Sequence, residues 1–233
     1  MTNWLDRILY NLLPGRCVLC LSPTKRSIDI CIGCELDLPF SHYACWQCGL
    51  TLPESQELCG HCLVSPPPFS HCFAAFEYRP PMDKMIAQFK NSQQLAFGRV
   101  LSKILARQYI KHHLRYPDVW VPVPLHSERL KIRGFNQALE IAQVIAAETA
   151  TPVIGRACRR FKATDEQKLL SRHARKHNIS GAFVCETDFQ NAHVGIIDDV
   201  VTTTETVAEL SRVLVKQGAA DVQVVCIART LHQ

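Results

Sequence analysis

Long apolar runs are missing from this chain. No stretch of its 233 residues approaches the ~18 unbroken apolar residues of a membrane helix, which argues against insertion into a bilayer. Aromatic residues make up only 8%, and 10 Gly and 13 Pro are too few for a fibrous or low-complexity chain. The net charge is a modest +5, and 47% hydrophobic against 20% charged residues is the balance of a globular protein rather than a disordered one. The opening residues, Met1 to Pro14, include Asp6 and have no long apolar centre. They do not read as a secretory signal, so the expected compartment is the cytoplasm. At ~150 residues per domain, the length fits one full-sized domain plus something smaller.

Cysteine, by contrast, is abundant. Eight of the 12 lie between Cys17 and Cys62, paired as Cys17/Cys20, Cys31/Cys34, Cys45/Cys48 and Cys59/Cys62. Each pair is Cys-x-x-Cys, and ten residues separate each pair from the next. Two intervening residues set both thiolates on one tight knuckle, and two knuckles supply four soft ligands in a tetrahedron, the preference of zinc. A redox Cys-x-x-Cys is usually single, and a disulfide framework would call for an export signal. Two structural zinc sites are therefore expected. Sequential pairing (Cys17, Cys20, Cys31, Cys34, then Cys45, Cys48, Cys59, Cys62) closes the shortest loops at the least entropic cost. A cross-braced pairing is the alternative. Eight cysteines fill two sites, leaving His42 and His61 as bystanders, and sites filled by thiolates have no position for a catalytic water.

Residues 1–68 hold too few large apolar groups for a core of their own. A structural zinc contributes on the order of 10 kcal/mol or more of apparent folding free energy, so removing the metal is expected to unfold this segment. It carries a net charge of −2, the remainder +7. Positive charge is densest from Arg156 to His177, a stretch suited to phosphates, pyrophosphate or nucleic acid, although a solvated helix face would read the same way. Pro66-Pro-Pro68 cannot continue a helix or a central strand and marks a linker. The expected division is a double zinc-ribbon domain over 1–68 and a larger domain over 69–233.

In the larger domain, strand and helix patterns alternate. Strands are expected over His71–Tyr78, Val119–Pro124, Val194–Ile197 and Asp221–Ala228. Helices are expected over Met82–Lys90, Leu95–His113, Asn136–Thr149 and Glu205–Gln217. This is the pattern of a doubly wound α/β domain with a parallel sheet, in which ligands sit at the carboxyl ends of the strands. Cys72 and Cys226 fall in strands and read as small core residues.

The segment after the Val194 strand is the most informative: Asp198-Asp199-Val-Val-Thr202-Thr203-Thr204-Glu205-Thr206. Two adjacent carboxylates precede a hydroxyl-rich turn that opens a helix. The free N–H groups of a helix start bind phosphate, and carboxylates accept from ribose hydroxyls or help hold Mg²⁺. A phosphorylated sugar suits both halves. The alternative is that Thr203 or Thr204 merely caps the helix and the aspartates are solvated.

At these residues the chain resembles the phosphoribosyltransferase signature, an acidic pair followed by Val-Val-Thr-Thr-Gly-x-Thr. More narrowly it resembles the ComF/GntX family over almost its whole length. The likeness is carried by the four knuckles, Pro66-Pro-Pro-Phe69, Gln88-Phe-Lys90, Val121-Pro-Val-Pro-Leu125, Arg133-Gly-Phe-Asn-Gln137, Gln167 through Arg175 to Asn178, and Gly181-Ala-Phe183. The resemblance implies a type I phosphoribosyltransferase-like fold after a double zinc ribbon, and a role in taking up or using external DNA. It implies that Asp198 and Asp199 face the ribose of phosphoribosyl pyrophosphate and that Thr202, Thr203, Thr204, Glu205 and Thr206 cradle its 5′-phosphate. Arg133, Gly134 and Asn136 would lie near the pyrophosphate, Gln167 and Arg175 would belong to a basic flap, and Mg²⁺ would bridge ligand oxygens. Arg133-Gly-Phe135 could equally be only a structural turn.

Three functions fit: a DNA-utilisation or competence protein with single-stranded DNA or uptake proteins as partners, an active phosphoribosyltransferase, or a zinc-ribbon adaptor without ligand. One residue departs from the family pattern. Thr204 stands where the signature has Gly, and a β-branched residue resists a positive φ.

Overall fold

The computed structural model describes residues 15–53, 56–91, 94–112, 114–161 and 181–231. The chain opens with two small strands, Gly15–Arg16 (β1) and Pro23–Thr24 (β2), paired antiparallel around the first knuckle. The second knuckle of each ribbon runs into a short helix, Ile32–Leu36 (α1) after Cys31 and Gly60–Val64 (α2) after Cys59.

Beyond Pro68 come His71–Glu77 (β3), Met82–Asn91 (α3), Leu95–Lys111 (α4), Val119–Pro122 (β4), Ser127–Arg133 (α5) and Gln137–Thr149 (α6). Cys158–Arg160 (β5) and Phe183–Cys185 (β6) form an antiparallel pair. His193–Val201 (β7), Glu205–Lys216 (α7) and Asp221–Arg229 (β8) complete the described elements. The main sheet runs β3-β8-β7-β4, every neighbouring pair parallel.

The doubly wound parallel architecture expected from the alternating pattern is present. Strand β8 is central and covered on both faces, which is why it reads as a nearly continuous apolar run. Its one buried amide, Gln223, donates through Nε2 to the Tyr109 hydroxyl at 2.9 Å and to the Arg115 carbonyl at 3.2 Å. On the face that carries α4 and α6, Tyr109 meets Trp120 edge-on, and the indole Nε1 donates to Thr149 Oγ1 at 3.2 Å. The connection from β7 to β8 crosses the sheet in the opposite direction to that from β3 to β4. Right-handed crossovers then place α7 on the other face.

The ribbons are packed onto this domain. Residues 39–46 run along the outer edge of β3: Glu77 N donates to the Pro39 carbonyl (2.9 Å), Ser41 N to Ala75 (3.0 Å) and Cys72 N to Trp46 (3.1 Å). Phe40 bridges Phe76 antiparallel. The edge strand's unpaired backbone groups are satisfied this way. Cys17, Ile28, Ile30 and Leu38 join the main hydrophobic core, whereas Cys45, Cys48, Leu52, Cys59 and Cys62 form a separate small cluster. The shortage of apolar groups in residues 1–68 is thus met by sharing the neighbouring core.

Several boundaries differ from expectation. The β7 strand extends to Val201, four residues beyond Ile197, so Asp198 and Asp199 lie inside the strand rather than after it. The β4 strand stops at Pro122, two residues short of Pro124. Helix α5 has only seven residues, with no buried side chain to give it an apolar stripe, and it was not anticipated.

Gly195 shows how tightly neighbouring strands β4 and β7 meet: a Cβ there would lie 2.3 Å from two ring atoms of its buried cross-strand partner Trp120 and 2.8 Å from Pro117. We expect Gly195→Ala to lower unfolding free energy by about 2–3 kcal/mol through overpacking, measured by urea titration. An unchanged midpoint would contradict this packing.

Candidate functional site

The eight knuckle cysteines gather into two groups, Cys17/Cys20/Cys31/Cys34 and Cys45/Cys48/Cys59/Cys62. This is the sequential pairing. Within each group all four sulfurs lie within 4.8 Å of one another. Cys20 and Cys31 are 3.7 Å apart, as are Cys48 and Cys59. A tetrahedron with Zn–S bonds of about 2.3 Å has edges of about 3.8 Å, so the donor set fits zinc in spacing as well as softness. Backbone amides support the sulfurs: Cys34 N donates to Cys31 Sγ (3.4 Å) and Cys59 N to Cys45 Sγ (3.3 Å). Both groups are made of cysteine alone, and among the described residues no histidine takes part.

The second site lies at the carboxyl end of the parallel sheet. Asp198 and Asp199 occupy successive positions near the end of β7, so the pleat turns their side chains to opposite sides. Asp199 is buried and pairs with Lys90 of α3, Nζ to Oδ1 at 2.9 Å. Burial pulls the Lys90 ammonium down. The Asp199 charge and hydrogen bond, with Asp198 adding, outweigh it and leave Lys90 raised. Asp198 is in register with Cys226 of β8, and its Oδ1 accepts from Asp199 N at 2.8 Å. Burial, then the neighbouring Asp199 charge, pushes the Asp198 carboxyl up to about 7, against the opposing pull of Lys90 and Arg160. Lys90 thus bears on both carboxylates at this strand end, by contact with Asp199 and through its charge at Asp198.

Lys90 escaped the sequence reading as a site residue. Its motif, Gln88-Phe-Lys90, was visible, but its partner lies 109 positions away, and no local pattern connects them.

Beyond β7 the chain turns through Thr202–Thr204 into α7. Thr204 is the residue before the helix and adopts φ +61°, ψ −12°, the left-handed conformation that the signature glycine would take without strain. Its hydroxyl donates to the Thr203 carbonyl at 2.6 Å and makes no cap to the helix. The loop has therefore kept the glycine-type backbone despite the β-branched side chain. Glu205 and Thr206 open the helix.

The remaining expected residues divide. Gly134 ends α5 in the left-handed conformation, φ +78°. Asn136 caps α6 through Oδ1, which accepts from Ala138 N at 3.0 Å, while its Nδ2 donates to the Val123 carbonyl at 3.0 Å. Arg133 Nη1 donates to Gln137 Oε1 at 3.2 Å, and its charge is felt at Lys90. These contacts give the Arg133–Asn136 segment a structural task whatever else it does. Gln167, Arg175 and most of the basic stretch lie outside the described residues.

Comparison with known proteins bears on the cysteine sites and on the family. Residues 8–63 match a family model described as a double zinc ribbon domain. The chain is 37% identical over 221 residues to the DNA utilization protein YhgH of Escherichia coli (strain K12), covering 93% of this chain and 91% of that one. It is 32% identical to Competence protein F of Haemophilus influenzae, over 95% of this chain and 100% of the relative. Among solved structures, a glutamine phosphoribosylpyrophosphate amidotransferase from B. subtilis complexed with ADP and GMP aligns with a TM-score of 0.37 and 18% identity, over 54% of this chain and 25% of that chain.

The Asp198 carboxyl sets a pH dependence. In the unfolded chain it ionises near its ordinary value of 3.8, in the folded protein near 7. The folded state therefore holds the extra proton between those values, and destabilisation from this group grows from about pH 4 and is complete above about pH 7. Replacing it by Asn removes that dependence. We expect Asp198→Asn to be more stable than the parent by up to about 3 kcal/mol at pH 8, with the difference vanishing towards pH 4, read from denaturant midpoints across pH. A difference that does not vary with pH would contradict the assignment.

Proposed function

The chain belongs to the ComF family of DNA utilization and competence proteins, and from that premise we propose that it binds phosphoribosyl pyrophosphate with Mg²⁺ at the carboxyl end of β7 while serving in the uptake or use of external DNA. The observation that carries this reading is the junction at Asp199: a buried carboxylate beside Lys90, followed within five residues by a left-handed turn into the N-terminus of α7. In this reading the ribose hydroxyls donate to Asp198 and Asp199. The 5′-phosphate accepts from backbone N–H groups of residues 203–206, where the helix dipole favours an anion.

Hard oxygen donors suit Mg²⁺, and two carboxylates with the ligand's own pyrophosphate supply them. Among the described residues the only groups of three or more ligating side chains are the two cysteine clusters. Bound at the carboxylates, Mg²⁺ would offset charge on the pyrophosphate.

The relatives' names supply the biological half of the proposal. Single-stranded DNA or DNA-uptake proteins are the partners it names. The basic stretch from Arg156 is the part of the sequence suited to a phosphate backbone.

Calorimetric titration of the zinc-loaded full chain with phosphoribosyl pyrophosphate and Mg²⁺ tests the reading. One-site binding is expected, weakened at least about tenfold in Asp199→Asn and preserved or tightened in Thr204→Gly, which relieves a left-handed threonine costing about 1–2 kcal/mol. No heat of binding by the parent, or a markedly weaker Thr204→Gly, would overturn it.

A further inference from the structure

Arg229, the last residue of β8, is 1% exposed, and its hydrogen bonds all go to neutral groups. Nε donates to the Cys48 carbonyl at 3.0 Å. Nη1 donates to the carbonyls of Val201 (3.2 Å) and Thr202, and to Thr230 Oγ1 at 3.1 Å. Nη2 is buried and finds no partner among the described residues. No carboxylate of the described residues lies within ion-pair distance of this guanidinium. A buried cation without a counter-charge is costly.

With zinc bound, the second cysteine cluster would supply a counter-charge, reached through the Cys48 carbonyl. Cys48 is one of its four ligands, and a divalent zinc held by four thiolates carries a net charge of −2. The guanidinium that touches the Cys48 backbone on one side holds, on the other, the carbonyl of Thr202, where the phosphate-facing loop begins. Thr230 doubles that grip, its Oγ1 donating to the same Thr202 carbonyl at 3.2 Å and its N to Val201 at 3.2 Å. The knuckle has no slack against the sheet. Gly49 follows Cys48 at φ +68°, and a Cβ there would sit 3.1 Å from both the carbonyl oxygen and the sulfur of Cys72 in β3.

We propose that Arg229 is a positioning residue that makes the geometry of loop 202–206 depend on the second zinc centre. Loading that centre holds the guanidinium, and the guanidinium holds the start of the loop. The first centre, built on Cys17, Cys20, Cys31 and Cys34, has no such contact with the loop among the described residues. The functional consequence rests on the proposed ligand reading of the loop; the mechanical coupling does not.

The test is amide hydrogen exchange of residues 202–206, followed by mass spectrometry on the full chain loaded with zinc. Cys45→Ser disables the second centre, Cys17→Ser the first, and Arg229→Met removes the link. We expect exchange to rise tenfold or more in Cys45→Ser and in Arg229→Met, to stay at the parental rate in Cys17→Ser, and to rise no further when Cys45→Ser and Arg229→Met are combined. Parental exchange in Cys45→Ser, or effects that multiply in the double variant, would overturn the proposal.

If Arg229→Met fails to show a cooperative thermal transition, Arg229→Lys replaces it. That variant keeps the charge but loses the fork, and the same pattern is expected at smaller amplitude. A second readout uses reciprocity: phosphoribosyl pyrophosphate with Mg²⁺ should slow release of one of the two zinc ions to a chromophoric chelator in the parent and not in the Arg229 variant. A parent that binds no phosphoribosyl pyrophosphate would refute the ligand reading alone, and the exchange rates would still decide the coupling.

Discussion

The ion pair between Lys90 and Asp199 is the constraint around which the carboxyl end of β7 is arranged. Two adjacent carboxylates on a central parallel strand would repel each other in a medium poor in water, and neither could be left ionised without an opposing charge. Lys90 reaches from α3 to hold one of them, and Asp198 answers by keeping its proton to about pH 7. Removing either partner of a buried pair leaves the other uncompensated, at a cost of about 3–5 kcal/mol. Such a cluster makes little sense as a stabilising device. In the proposed function, a ligand with hydroxyl donors and phosphate acceptors takes over the contacts.

The zinc ribbons serve a purpose wider than folding their own segment. The first shares the core of the larger domain and is tied to α4 by Arg107, whose Nη2 lies 2.7 Å from Glu35, and by Lys103, which donates to the Ser27 carbonyl at 3.1 Å. The second keeps a small core of its own and leans on β3 through Trp46 and Gly49. Sulfur chemistry therefore substitutes for apolar area at the edge of a sheet that would otherwise present unpaired backbone groups. Arg229 joins the Cys48 carbonyl of the second ribbon to the Thr202 carbonyl beyond β7, a link that a ribbon on a free tether could not make.

Local features of the sequence were enough for much of this. The regular Cys-x-x-Cys spacing pointed to both cysteine groups and their pairing, because short loops close cheaply. The apolar run of β8 and the helices expected over Asn136–Thr149 and Glu205–Gln217 could all be read in place. What escaped was long-range. Arg229 meets Cys48 across 181 positions and Lys90 meets Asp199 across 109, and neither cation differs locally from a solvated one. The strand end was misjudged because Asp198 and Asp199 interrupt the apolar pattern, so β7 looked finished at Ile197 when backbone pairing carried it on to Val201. Thr204 was the residue least compatible with a positive φ by its chemistry, yet the fold imposes one, φ +61°.

The most direct measurement is a crystal structure of the zinc-loaded protein grown with ribose 5-phosphate and Mg²⁺. The phosphate should rest on the backbone N–H groups between Thr203 and Thr206, with a ribose hydroxyl within hydrogen-bond distance of Asp198 or Asp199. Clear density for the loop with no sugar phosphate in it, at a concentration that fills other sites, would contradict the account.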